Sequence, residues 1–230
     1  MKIYKKEYPT ENCFISNHCL PEWLPAINAN KIIYEVKKGE VIFTEGTEVT
    51  GIYFVYEGNV KVHKKWGNDK ELILRIATKG GIFGHRGLSS KSNIYPISAT
   101  ALENATVCFI DLAFFYTTIK VNPDFGLKLM LFFADELQES ERKMRNLAHM
   151  SVKGRIAEAL LLLKEKFGEK DGVINITLSR QDLASYVGAT YETVFRTINE
   201  LVVEKSISLQ GKNIKLENMD VLKNLTLQAS

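Results

Sequence analysis

Residues 178–201, LSRQDLASYVGATYETVFRTINEL, read as two short helices joined by a tight turn. Ser179 is a good N-cap, and Arg180, Gln181 and Asp182 fill the first turn behind it. Leu183, Ala184 and Val187 give the first helix an apolar face. Gly188 ends it, because glycine accepts the left-handed backbone that a sharp turn needs. Thr190 then caps a second helix, which opens with Tyr191. In that helix Val194, Ile198 and Leu201 fall at i, i+4 and i+7 and form one buried stripe. Glu192, Phe195, Arg196 and Asn199 fall on another face. A polar face on the second helix is what a helix-turn-helix inserts into the DNA major groove.

The chemistry of that face suits base reading. An arginine bonds guanine O6 and N7 with two parallel donors, and a glutamate accepts from cytosine N4. Glu192 and Arg196 are one turn apart, so both can enter the groove together. A plain surface ion pair between them is the simpler alternative, but it leaves Phe195 unexplained. A thymine methyl is a plausible partner for that ring. Downstream, Ile207-Ser-Leu209 and Ile214-Lys-Leu216 flank Gln210-Gly-Lys-Asn213. Alternating apolar residues around a glycine-containing turn read as a β-hairpin wing, with Lys212 at its tip.

Upstream of this segment, Ser151 to Phe167 reads as a helix with an apolar face. From Phe125 to about His149 the sequence is also helical. Met130, Phe133, Leu137, Ser140, Met144 and Leu147 alternate by three and four, the spacing of a coiled-coil seam. The seam is expected to meet a partner helix, most simply its own copy, in a homodimer. Packing on its own domain is the alternative. Before Pro123 the chain is rich in short β-type runs: 31–36, 40–43, 51–56, 59–63, 71–76 and 105–110. Glycines punctuate them, which suggests an antiparallel roll or sandwich. The expected organisation is therefore α+β. An N-terminal arm and antiparallel β-roll span 1–122, a dimerisation helix and hinge 123–150, and a winged helix-turn-helix 151–230.

Composition sets outer limits. A chain of 230 residues holds one or two domains with cores of their own. The net charge of +3 is too small to indicate a nucleic-acid binder by itself, so local placement of Lys and Arg must supply any DNA affinity. No apolar run is long enough to span a bilayer, and no signal-peptide core follows the basic N-terminus. A cytoplasmic protein away from membranes is expected. No nucleophile–base arrangement, H-x-x-x-H pair or Walker loop points to an enzyme. Three cysteines do not make a secreted disulfide framework.

A roll, a long helix and a winged helix in that order resemble the cyclic-AMP receptor protein and fumarate–nitrate regulator (CRP/FNR) family. The resemblance rests on KKGEVIFTEGT, GIYFVYEGNVKV, GGIFGHRGLS, VKGRIAEALL and LSRQDLASYVGATYETVFRTINEL, in that order, over residues ~31 to 217. It implies a homodimeric transcription regulator whose partners are an operator in double-stranded DNA and RNA polymerase. It also implies a cyclic-nucleotide-binding-like roll that senses an effector. The family's E-T-V-x-R core stands here as Glu192-Thr193-Val194-Phe195-Arg196, so Glu192 and Arg196 would read bases. Thr190 and Tyr191, beside them, would contact the DNA as well, and Ser179, Arg180, Gln181 and Lys212 would hold phosphates. Phe195 replaces the small residue usual in the family. The alternative reading is a ligand-binding module acting on a protein partner, with a vestigial winged helix.

Cyclic-AMP binders of the family hold the ribose with a glutamate and the phosphate with an Arg-Ser pair. Here His85 follows Gly84 at the glutamate position, and Tyr95-Pro96 fall at the Arg-Ser position. Neither replaces an arginine's bidentate grip, so cyclic AMP is not the expected effector. Gly84, His85, Arg86, Ser98 and Ser140 remain the expected effector pocket, with His85 and Arg86 a cationic pair for some other anion or ordinary loop residues. The family also suggests an iron–sulfur cluster. Cys13, Cys19 and Cys108 resemble three ligand positions of the fumarate–nitrate regulator. The fourth falls near Thr10, where Glu7, Glu11 or His18 would have to substitute. Incidental tail and core cysteines are the alternative.

Overall fold

The computed structural model describes residues 1–4, 13–67 and 70–227. The chain forms two compact units, Met1–Leu137 and Gln138–Ser230.

In the first unit, β1 (Lys2–Ile3), α1 (Phe14–His18) and α2 (Leu24–Asn30) precede eight strands. These are β2 (Lys31–Val36), β3 (Val41–Phe43), β4 (Gly51–Glu57), β5 (Val60–Trp66), β6 (Lys70–Ala77), β7 (Ile82–Phe83), β8 (Ser98–Ala101) and β9 (Ala105–Asp111). One sheet has the order β1-β2-β9-β4-β7 and the other β3-β8-β5-β6. Every pairing is antiparallel. The run Gly51-Ile-Tyr-Phe-Val-Tyr56 shows why the roll closes as it does. Successive strand residues point to opposite faces, and here both faces are covered. Tyr53 and Val55 join a core with Phe43, Val62, Phe83, Tyr95 and Val107. Ile52, Phe54 and Tyr56 join a second core with Cys13, Ile27, Cys108, Phe115 and Phe125. Helices α1, α2, α3 (Leu112–Val121) and the start of α4 (Pro123–His149) supply that second core.

Asp111 caps α3 by accepting from the Phe114 amide at 3.0 Å. Pro123 then opens α4 at a first-turn position, where its missing N–H costs no helical bond. Between them the buried Asn122 accepts from the Leu20 amide at 2.9 Å and donates to the Thr118 carbonyl at 3.0 Å. The arm is thereby tied to the α3–α4 corner.

The second unit holds the end of α4, then α5 (Val152–Phe167), β10 (Glu169–Lys170), β11 (Val173–Ile174), α6 (Arg180–Val187), α7 (Tyr191–Val203), β12 (Ile207–Gln210), β13 (Asn213–Leu216) and α8 (Met219–Thr226). Helices α5, α6 and α7 pack on one another, and α8 packs on α5. Gly154 permits that last approach, because a Cβ there would lie 2.8 Å from the Leu225 carbonyl oxygen. The wing hairpin β12–β13 is extended by β11 and β10 into a four-stranded sheet. The helix-turn-helix and the wing stand where the sequence places them. Among the described residues no helix is long and apolar enough to cross a membrane.

Candidate nucleic-acid interface and roll pocket

The caps of α6 and α7 form as their residue types dictate. Ser179 accepts from the Asp182 amide at 2.9 Å and donates to the Asp182 carboxylate at 2.6 Å, so its hydroxyl is already engaged. Gly188 takes the left-handed conformation, φ 65°, at the end of α6. Thr190 accepts from the Thr193 amide at 3.3 Å. Val194, Ile198 and Leu201 are fully buried, which turns the opposite side of α7 outward.

That outer side carries Tyr191, Glu192, Phe195, Arg196 and Asn199, all exposed. Arg196 lies 3.8 Å from Glu200 at the nearest approach, a loose pairing one turn onward rather than one turn back toward Glu192. Both base-reading candidates therefore remain open to solvent. Tyr191 and Phe195 are 43 % and 51 % exposed and stack on each other, with centroids 6.2 Å apart and planes 15° apart. Gln181 is exposed in the first turn of α6, and Lys212 is exposed beside Gly211 at the wing tip. Arg180 is half-buried near the Tyr191 phenol, and burial pulls its pKa below the ordinary value.

Sequence reasoning misses the bracing behind this face. Arg155 of α5 donates to the carbonyls of Leu147 at 3.1 Å, Met150 at 3.2 Å and Gly188 at 3.3 Å. One guanidinium thus ties the last turn of α4 to the turn between α6 and α7. Glu158 joins it by accepting from Asn146 at 2.6 Å and pairing with Arg142 at 3.4 Å. Lys143 lies 4.3 Å from the centre of the Tyr186 ring, and burial lowers its pKa to about 8. No motif announces these contacts, since backbone carbonyls carry no sequence signature.

In the roll, Gly84 adopts φ +85°, a left-handed conformation that favours glycine, and a Cβ there would be in ordinary contact with Tyr53 and Tyr95 at 3.4 and 3.5 Å. Tyr95 is buried, stacks on Phe43 at 4.0 Å and donates to the Gly51 carbonyl at 2.7 Å. Ser98 is buried and accepts from the Glu45 amide at 2.9 Å. Ser140 belongs to the second unit. The cationic pair expected at His85 and Arg86 takes a different form. His85 is buried between Phe132 and Phe133, at 5.0 and 5.3 Å, and neither ring nitrogen has a hydrogen-bond partner among the described residues. Burial, with Arg75 and Arg86 nearby, pushes its pKa well below 6.5, so the ring is neutral. The second cation is Arg75. It meets Glu136 at 2.8 Å, donates to the Ile82 carbonyl at 2.8 Å and lies over Phe132 at 5.4 Å. Arg86 meets the other oxygen of Glu136 at 3.1 Å. The carboxylate of α4 therefore sits between the two arginines.

Cys13 and Cys108 are fully buried in the second core, with Cys19 at its edge. Burial pushes the Cys19 and Cys108 thiols up to about 12, and Cys13 adds to both. Among the described residues no three metal-ligating side chains gather, and at Cys108 burial outweighs the Tyr56 hydrogen bond and the Lys31 charge that favour a thiolate. These residues do not fit an iron–sulfur cluster. Thr10, Glu7 and Glu11 lie outside the described residues.

Comparison with known proteins bears on the same two regions. The cyclic nucleotide-binding domain profile matches residues 34–122, and the Crp-like helix-turn-helix domain profile matches 154–225. The cAMP-activated global transcriptional regulator CRP of Pasteurella multocida is 31 % identical over 185 residues, covering 79 % of this chain and 88 % of that one. The probable transcriptional regulator flp of Lacticaseibacillus casei is 30 % identical over 85 % of this chain and 87 % of its own. Among solved structures, FixK2 from Bradyrhizobium japonicum superposes with a TM-score of 0.77 at 25 % identity, covering 87 % of this chain and 99 % of that one. With an open reading face on α7, a wing and a roll of the matching kind, this chain belongs to the CRP/FNR family of DNA-binding transcription regulators.

Proposed function

We propose that two copies of this chain pair and bind a pseudo-palindromic operator, under the control of an effector other than cyclic AMP. The observation that carries this reading is the outer face of α7. Glu192 and Arg196 stand exposed on a helix whose opposite face is wholly buried. The intact caps and core of this unit disfavour the reading in which the winged helix is vestigial. Arg196 would donate to guanine and Glu192 would accept from the paired cytosine. Arg180, Gln181 and Lys212 would hold phosphates, and Ser179 would serve as a cap. The protein would act on promoters in the cytoplasm, with RNA polymerase as its partner there.

Pairing is supported by α4. Met130, Leu137 and Met144, seven residues apart, are 59 %, 60 % and 60 % exposed, and Leu127 and Leu131 are exposed beside them. Such an apolar stripe marks a surface that is covered in use. Phe133 and Leu147 are half-buried, Phe133 against its own roll, so the open stripe runs through Leu127 and Leu131 instead.

The aromatic filling of the roll argues against a cyclic nucleotide. Tyr95 and Pro96 stand at the phosphate-gripping position, and the Tyr95 hydroxyl is spent on Gly51. A buried phosphate without a paired cation is strongly disfavoured. The Arg75–Glu136–Arg86 arrangement supplies a route to control. An anionic effector that competes with Glu136 for these arginines would bias α4, and a ligand shifts an equilibrium only through such differential binding.

Selection of binding sites from random duplex DNA tests the reading. Enrichment of a two-fold symmetric site supports it, and enrichment of no site defeats it.

A further inference from the structure

The stacked pair of Tyr191 and Phe195 is left over once Glu192 and Arg196 are assigned to bases. Two large rings lie parallel on the exposed side of the reading helix, one turn apart. An i,i+4 aromatic contact steadies a helix by only about 0.2–0.5 kcal/mol. Leaving two half-exposed rings in water is a poor use of them if that is all they do. Their place decides between uses. Tyr191 is the first residue of α7, and the N-terminal turns of a recognition helix reach deepest toward base edges. In the major groove the apolar group on offer is the C5-methyl of a pyrimidine, carried by thymine and absent from cytosine.

We propose that Tyr191 and Phe195 form a two-ring slot that reads a pyrimidine C5-methyl group, beside the G·C pair read by Arg196 and Glu192. This rests on the DNA-binding reading above and specifies what it recognises. The rings act as one surface, since each limits the other's motion. Their ligand is the methyl group rather than the thymine base. It follows that 5-methylcytosine in place of thymine retains the contact, so methylation of an operator cytosine at this step strengthens binding. No reacting groups are involved; the readout is affinity.

The test uses the full chain and a site selected from random duplex. Each thymine of the half-site is replaced in turn by deoxyuridine, which removes only the methyl. Burying one methyl-sized group contributes about 0.8 kcal/mol, so one position per half-site should weaken binding about fourfold, and about fifteenfold when both are replaced. In a site variant that carries cytosine at that step, exchange of the cytosine for 5-methylcytosine should strengthen binding by a similar factor. Phe195→Ser and Tyr191→Ala should each bind the thymine and deoxyuridine sites alike. Specific binding by the wild type that is indifferent to deoxyuridine at every position overturns the slot and leaves the DNA-binding reading standing. A protein that selects no sequence overturns both.

Discussion

Arg196 carries the sharpest expectation at the scale of one residue. Its guanidinium is open on the outer face of α7, so on the proposed function Arg196→Ala removes a base contact and takes nothing from the core. Loss of a bidentate guanine contact should cost about 1–3 kcal/mol per half-site, with an unchanged unfolding midpoint. Unaltered sequence preference in a binding-site selection would count against the assignment. A second residue-scale expectation concerns Glu71. Burial would raise its pKa, but hydrogen bonds and charge from His63, at 2.7 Å, and Lys61, at 2.7 Å, hold it down at about 2. A carboxylate with a depressed folded pKa stabilises the fold above its ordinary pKa of 4.5, and this is lost as pH falls toward 2. Glu71→Gln should therefore lower the urea midpoint at pH 7, with the gap to wild type narrowing at pH 3. A gap that stays constant with pH would show that the ion pair is not its source. The reading face was legible at this scale because caps and apolar spacing are local. Arg155 and Arg75 were not, because their partners are carbonyls and a carboxylate far away in sequence.

At the scale of elements, α4 carries both packed and exposed apolar residues along its length. Phe132 and Phe133 pack into the second core, whereas Met130, Leu137 and Met144 do not. A charge at Phe133 would damage its own roll, so Leu137→Glu is the clean test of pairing. Light scattering at micromolar concentration should show a wild-type dimer and a Leu137→Glu monomer of native secondary structure; a monomeric wild type refutes the pairing. The 3.5-residue period of α4 was plain in the sequence, but which of two interleaved stripes faces outward was not. That choice depends on where Phe133 finds His85, and no periodicity contains it. The longer strands were legible from alternation and glycine punctuation. Strands β1, β7, β10 and β11 span two residues each, too short for any pattern to show. Helices α1 to α3 are hidden differently, since they cover a sheet and read as mixed apolar runs beside strands.

On the function proposed for the whole molecule, the roll does not take cyclic AMP and answers to another effector. Isothermal titration should give no binding of cyclic AMP at micromolar affinity, and DNA affinity should be unchanged when the nucleotide is added. Micromolar or tighter binding would show that the aromatic filling around Tyr95 yields to ligand. Two-fold pairing demands two-fold symmetry in the operator, with half-site centres about one helical turn, ~34 Å, apart. The most direct measurement is site selection by the full chain from random duplex DNA without cyclic AMP, followed by affinity for the selected duplex and its single-base variants. The account predicts an enriched pseudo-palindrome with a G·C pair in each half-site, whose replacement weakens wild type but not Arg196→Ala. A population with no enriched sequence, or a site whose G·C pairs are freely replaceable in wild type, would contradict it.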